Sequence, residues 1–194
     1  MDNWQKAQKW EEAWWGFCQN TYGEELKQLL YAKKMRLEFF HNGKSPFNIA
    51  GTGKKILDIG GGPVSLLLKC LNIKGKVIDP CNFPKWVELR YMMAGIEYEK
   101  IKAEDIKERD WDEVWIYNVL QHVENPQKVI KNAKKAGKII RIFEWLDTLE
   151  NKGHPHILTE KKLNEWLGGE GKVEYLENQN TCTGKCYYGV FLTL

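Results

Sequence analysis

The stretch Lys55-Ile56-Leu57-Asp58-Ile59-Gly60-Gly61-Gly62-Pro63 decides the fold. A short apolar run, long enough for one buried strand, ends in three glycines and a proline that can open a helix. Working outward, a helix is expected over 63–71 and a second strand over 76–79, closing on Asp79. The same texture continues with a helix over 84–93, strands at 96–101 and 113–117, a helix over 126–136 and a strand at 138–143. Thr159 with Glu160 after it opens one more helix. Strands alternating with helices at this spacing make βαβ units, hence an α/β, Rossmann-like doubly wound sheet, mostly parallel. The last two β-rich pieces, 173–176 and 187–194, are joined by an Asn/Thr/Gly turn with no helix between them. They read as an antiparallel C-terminal hairpin at the sheet edge.

Upstream of the glycines the period is helical. Trp4, Trp10, Trp14, Phe17 and Cys18 mark one amphipathic helix over 4–20; Leu26, Leu29, Leu30, Leu37 and Phe40 mark another over 24–40. Asn42-Gly43, Ser45-Pro46 and Gly51-Thr52-Gly53 then punctuate a turn-rich segment. The expected organisation is an N-terminal helical cap over 1–50 and one α/β domain over 51–194. Nine tryptophans stand in the 194 residues, and four of them, Trp4, Trp10, Trp14 and Trp15, crowd this first helix. Core packing against the sheet accounts for most of those rings on the plainest reading, while at least one, with Tyr22, could close over a site.

With 29 basic and 26 acidic residues the formal charge is +3, and the lysines are scattered rather than gathered into a stripe. A nucleic-acid partner is therefore not expected. No run approaches the roughly 18 apolar residues that would span a bilayer, and the charged first residues do not resemble a signal peptide, so no membrane and a cytoplasmic location are expected. Five cysteines with no CxxC pair suggest free thiols rather than a disulfide framework or zinc site, and Cys182 and Cys186 on the hairpin read as an accidental spacing.

A glycine turn between strand and helix lets a ligand approach the backbone, and the free N–H groups at the helix start offer it donors. Here Asp58 precedes the turn and Asp79 ends the next strand. A ligand with an α-amino group and a ribose, but no pyrophosphate, suits two such acids, and S-adenosylmethionine has that chemistry. The run 56–63 resembles the first motif of class I S-adenosylmethionine-dependent methyltransferases, and Val77-Ile78-Asp79-Pro80 resembles the second. Residues 98–106 with Trp111-Asp112-Glu113-Val114 are similar to the family's adenine-binding loop and the strand after it. Asn118-Val119-Leu120-Gln121-His122-Val123-Glu124-Asn125-Pro126 resembles the branch that contains the ubiquinone-biosynthesis O-methyltransferases, and 153–159 is similar to a loop found in many small-molecule methyltransferases.

The resemblance covers about residues 54–167 and implies Gly60, Gly61 and Gly62 against the methionine moiety, with Asp58 organising its amino group. It implies Asp79 on the ribose, Glu104 and Asp105 flanking the adenine, and Asn118 and Leu120 lining the cofactor near sulfur. Asn118 and Gln121 stand where metal-assisted relatives carry glutamates; amides ligate divalent cations poorly, so no metal is expected. His122, His154 and His156 are the candidate bases, each against the plainer reading of a hydrogen-bonded loop histidine. The activity implied is methyl transfer to an O or N nucleophile of a small-molecule acceptor. A cofactor-binding but inactive partner subunit and a dinucleotide-dependent oxidoreductase are the rivals.

Overall fold

The structure, a computed structural model, describes residues 2–18, 21–40, 48–177 and 183–193. The turns at Asn42-Gly43 and Ser45-Pro46, the side chain of Tyr22, and Cys182 lie outside the described residues. Two helices come first, α1 (Asn3–Trp15) and α2 (Tyr22–Lys34). Asp2 starts α1 with a capping box, its side chain accepting from the Gln5 N–H while Gln5 reaches back to the Asp2 N–H. Gly16, at φ +49°, ends it.

A seven-stranded sheet follows, in the order β6 (Ile96–Glu99), β5 (Lys74–Ile78), β3 (Lys55–Ile59), β7 (Trp111–Tyr117), β8 (Gly137–Trp145), β10 (Thr183–Leu192), β9 (Lys172–Glu177). The first five run parallel, and β10 and β9 add antiparallel at one edge. This is the expected doubly wound sheet with its C-terminal hairpin. Both faces are covered, as a parallel sheet requires. Leu57, Ile59, Val114, Ile116, Ile140 and Ile142 point into a core with α4 (Pro126–Ala136) and α5 (Glu160–Leu167). Ile56, Trp115, Tyr117 and Phe143 face the opposite core with Tyr31, Ala32 and Met35 around α2 and with Val87 and Tyr91 of α3 (Lys85–Met93). Thr159 caps α5 as expected, accepting from the Lys162 N–H.

The segment after the glycines departs from expectation. In place of one helix over 63–71 there are two 3₁₀ turns, Gly62–Val64 and Leu66–Lys69, separated by an extended Ser65. The tyrosine hydroxyls of Tyr91 and Tyr117 accept the N–H groups of Ser65 and Leu66, and the Ser65 hydroxyl accepts from Leu67. Side chains that capture these N–H groups leave the backbone held where an α-helix would not put it. The chain then forms β4 (Cys70–Leu71), which joins β1 (Phe39–Phe40) and β2 (Asn48–Ala50) in a small separate sheet, β2 and β4 running parallel.

One ion-pair cluster fastens the far end of the sheet. Glu113, 1% exposed on β7, accepts from the Arg141 guanidinium of β8, from Lys54 and from the Trp115 indole. The same guanidinium donates to the carbonyls of Met35 and Arg36 at the end of α2. Burial alone would raise the Glu113 pKa, but these donors hold it down to about 2. Its stabilising contribution is therefore complete above the ordinary carboxylate range and lost as pH falls toward 2. Glu113→Ala leaves the partly buried Arg141 guanidinium without its carboxylate and should cost about 3–5 kcal/mol in denaturant unfolding at pH 7. The difference from the parent should shrink below pH 4.

Candidate functional site

The strand order reverses between β3 and β7, where connections leave to opposite faces and open a crevice at the carboxyl ends. A narrow cavity of about 110 Å³ lies there. Its floor is Gly60, Gly61 and Gly62, with Asp79 after β5, Glu104 in the turn after β6, and Asn118, Val119, His122 and Val123 after β7. Trp4, Gln8, Glu11 and Trp15 of α1 form its roof.

The loop geometry explains the glycines. Gly60 has φ +68°, and a Cβ there would stand 2.6 Å from Val119; at Gly61 it would stand 2.7 Å from Asp58 Oδ2. Asp58 is fully buried and does not line the cavity. Its Oδ2 accepts from the Ser65 and Tyr117 hydroxyls, both at 2.5 Å, while Oδ1 has no partner. Burial pushes its pKa up to about 7 against those two donors. Asp79 lines the cavity, accepts the N–H groups of Gly62 and Cys81, and is pushed by burial to about 6.

Of the acids expected at an adenine, Glu104 lines the cavity and also accepts the Asn125 N–H, while Asp105 is exposed near Lys128 and stands outside. Leu120 is buried in the core, and its neighbour Val119 takes the place at the cavity. Asn118 is at the wall, with φ +57°, a left-handed conformation asparagine tolerates. Its Oδ1 accepts from Gln121 Nε2 at 2.9 Å. Among the described residues no group of three or more His, Cys, Asp or Glu is arranged to hold a metal ion.

The three histidines separate. His122 lies at the wall; its Nδ1 faces Glu11 Oε1 at 3.0 Å and the Gly153 carbonyl at 2.8 Å. Both are acceptors, so Nδ1 carries a proton, and Nε2, met by the Gln121 amide at 3.3 Å, presents a lone pair. Burial alone would lower the His122 pKa, but the Glu11 carboxylate overrides it and the net shift is upward. His154 packs edge-on against His122 with ring centroids 4.7 Å apart. Burial and that neighbour lower it to about 4. His156 turns away, its Nε2 within reach of the carbonyls of Val123 and Glu124, and lines neither this cavity nor its neighbour.

A second cavity, of about 640 Å³, adjoins the first and shares Glu11, Trp15, Glu24, Tyr31, Asn118 and His122 with it. Trp10, Trp14, Trp145 and Gln121 complete much of its wall. The tryptophan cluster is thus explained differently from plain core packing: none of the four rings of α1 is buried, and all four line one cavity or the other. Helix α1 buries only Ala7, packs Trp15 against the core and Trp10 against His154, and adds polar contacts. Glu12 accepts from Asn82, Gln8 donates to the His122 carbonyl, and Lys102 sits 3.8 Å over the Trp4 ring.

Sequence reasoning missed Glu11 and Glu144. Glu144 is fully buried on β8 and accepts the N–H groups of Val119 and Leu120, which fixes the loop carrying Asn118, Gln121 and His122. Burial raises it to about 7. An acid ending the strand-length run Ile139–Phe143, apolar except for Arg141, was the available signal; Glu11, one charge among several on an exposed-looking helix, gave none.

No protein-family model matches the chain, and no curated protein matches it by sequence. Solved structures do match. The N-methyltransferase NodS from Bradyrhizobium japonicum, in complex with S-adenosylhomocysteine, covers 100% of this chain and 99% of its own, with TM-score 0.62 and 12% identity. An S-adenosylmethionine-dependent methyltransferase from Thermotoga maritima, described as a possible histamine N-methyltransferase, covers 100% of both chains with TM-score 0.62 and 13% identity. One from Methanosarcina mazei covers 73% of this chain and 92% of its own, with TM-score 0.55 and 16% identity. The chain has the class I methyltransferase fold.

The cavity of about 110 Å³ lies beneath α1, a helix whose one buried residue is Ala7. The amides of α1 should therefore exchange with solvent far faster than those of α4, which buries five residues, Pro126, Val129, Ile130, Ala133 and Ala136. Hydrogen exchange by mass spectrometry measures this; equal protection of the two helices would make α1 fixed core.

Proposed function

We infer that this chain is an S-adenosylmethionine-dependent methyltransferase acting on an oxygen or nitrogen nucleophile of a small molecule. The observation that carries the reading is the meeting of the glycine turn, Asp79 and Glu104 in one cavity that continues, past Asn118 and His122, into a second. The residues suit the cofactor: Asp79 offers a buried carboxylate for ribose hydroxyls, Glu104 an acceptor for the adenine amino group, and the turn a backbone a ligand can approach. Asp58 works from beneath, holding Tyr117 and Ser65 and through them the turn. A dinucleotide suits the site less well, because the glycines lead into a three-residue 3₁₀ turn instead of an α-helix whose N-terminus could hold a pyrophosphate.

When bound, S-adenosylmethionine supplies an electrophilic methyl group on a sulfonium. The protein then has to align the acceptor, exclude water and, where the nucleophile is protonated, remove a proton. Trp15 over Gly62 and the rest of α1 exclude water. His122 receives the proton on Nε2, the Gln121 amide 3.3 Å away giving up that lone pair as it does, and Glu11 stabilises the imidazolium that results. Because Glu11 is borne on α1, this pairing exists only with the helix in place. The likeness of residues 118–126 to the ubiquinone-biosynthesis O-methyltransferases supports an oxygen acceptor, and the two full-length structural neighbours support nitrogen.

Calorimetric titration with S-adenosylhomocysteine tests the cofactor. Asp79→Ala should weaken binding by about 1.5–3 kcal/mol with the fold retained by circular dichroism, and an unchanged dissociation constant would remove Asp79 from the site.

With an acceptor in hand, His122→Ala should lower turnover about 10²–10⁴-fold, cofactor affinity staying nearly intact. The parent rate should fall as pH drops through a midpoint above 6.5, because protonation removes the base and the His122 pKa is raised. Glu11→Gln should move that midpoint downward, and an imidazole NMR titration should show the same displacement. A midpoint indifferent to Glu11 would separate the two residues.

A further inference from the structure

One position on the buried stripe of α2 is polar. Tyr31, Ala32 and Met35, at most 2% exposed, pack into the core on that face of the sheet. Gln28 precedes them by three, four and seven residues, on the same side of the helix, and is 7% exposed. Buried amides in folded proteins have hydrogen-bond partners. Among the described residues none meets either end of this one. Nor is it sealed in: the enclosed polar atoms without a partner among the described residues are Asp58 Oδ1, Trp111 Nε1 and Gln121 Oε1. The Gln28 amide reaches open space, and the space that Gln28 borders is the first cavity.

Two contacts locate it there. Glu25 faces Lys69 at 3.7 Å and Arg90 at 3.6 Å, which fastens this part of α2 beside the 3₁₀ turn Leu66–Lys69 that follows the glycines. The Tyr31 ring stands 6.3 Å from that of Tyr117, whose hydroxyl accepts the Leu66 N–H. Gln28 lies between these anchors, on the face of the sheet that α2 covers. Glu104, suited to the adenine, follows Ala103 on the face that α4 covers. The two residues therefore reach the cavity from opposite faces of the sheet.

The cavity is rich in acceptors, with the carboxylates of Glu11, Glu24, Asp79 and Glu104 on its wall, and no lysine or arginine lines it among the described residues. A ligand ammonium is served several times over; a ligand carboxylate has to be met by neutral donors. Trp4, Trp15 and Asn118 bring N–H groups, but each is less deeply buried than Gln28. Asp58, to which the family resemblance assigns the cofactor's amino group, lies beneath the floor and does not line the cavity. The amino-acid end of the cofactor thus needs a holder other than Asp58. A carboxamide opening on the glycine turn has the donors for it, and N–H bonds to a carboxylate are charge-assisted.

We propose that Gln28 holds the amino-acid end of S-adenosylmethionine, its amide NH₂ donating to the α-carboxylate. This rests on the methyltransferase reading and deepens it: α2 becomes part of the cofactor site, and Gln28 selects a cofactor that keeps its carboxylate.

The test is calorimetric titration of the full chain with S-adenosylhomocysteine and with S-adenosyl-3-thiopropylamine, which lacks only the carboxylate. The parent should bind the first tenfold or more tightly. Gln28→Leu, of similar size and without hydrogen-bonding atoms, should cut that ratio to within threefold by weakening S-adenosylhomocysteine alone, and its thermal melting without ligand should be no lower than the parent's. Gln28→Glu, which sets carboxylate against carboxylate, should weaken S-adenosylhomocysteine at least as much. A parent that binds both ligands alike, a ratio indifferent to Gln28→Leu, or equal loss of both ligands with lowered melting, the mark of a purely structural side chain, would each overturn the proposal while parent binding of S-adenosylhomocysteine still supports the cofactor. Absence of heat with S-adenosylhomocysteine in the parent would instead overturn the methyltransferase reading, and this proposal with it.

Discussion

The buried carboxylate of Asp58 is the constraint around which the carboxyl edge is built. It stands at the middle of the sheet on β3, takes the Tyr117 hydroxyl from the neighbouring β7 and the Ser65 hydroxyl from the loop, and leaves no room for a side chain at Gly61. Burying a charge is costly unless it is hydrogen-bonded, and the two donors only partly offset that cost, which is why its pKa stays raised. The tyrosines that complete this network also hold the backbone of Ser65 and Leu66, so the polypeptide leaves the glycines in 3₁₀ turns. From that geometry follow the narrow floor of the first cavity and the position of Asp79, whose carboxylate accepts from Gly62.

A second buried acid, Glu144, does for the opposite wall what Asp58 does for the floor. By accepting two consecutive backbone N–H groups it fixes the loop after β7, and with it Asn118, Gln121 and His122. The two walls meet under α1, which contributes Glu11 to the polar side and Trp10, Trp14 and Trp15 to the apolar side. Only Ala7 of this helix is buried; Trp15 packs against the core and Trp10 on His154, and hydrogen bonds and one cation–π contact complete its attachment. Charge state and closure are linked here, because the raised His122 pKa depends on Glu11 being in place.

The sequence by itself determined the layering of this protein and pointed to the sheet edge where the cavity lies. Apolar runs of strand length, the helix over 126–136, the Thr159 cap and the glycine turn are local signals, each contained within a few residues, and each is where the sequence places it. The order of those signals fixes a right-handed parallel sheet, and the acid before the glycines and the one ending the next strand identify which edge matters. Tertiary structure alone decided which candidate residues reach the cavity: Glu104 and not Asp105, Val119 and not Leu120, His122 and not His156. It also replaced the helix after Pro63, since the hydroxyls that hold Ser65 and Leu66 come from Tyr91 and Tyr117, far along the chain. The partnership of Glu11 with His122 and the unpartnered oxygen of Gln121 are of the same kind. Hydrogen bonds between residues distant in sequence leave no periodicity to read, and a polar atom is recognised as lacking a partner only once every neighbour is in place.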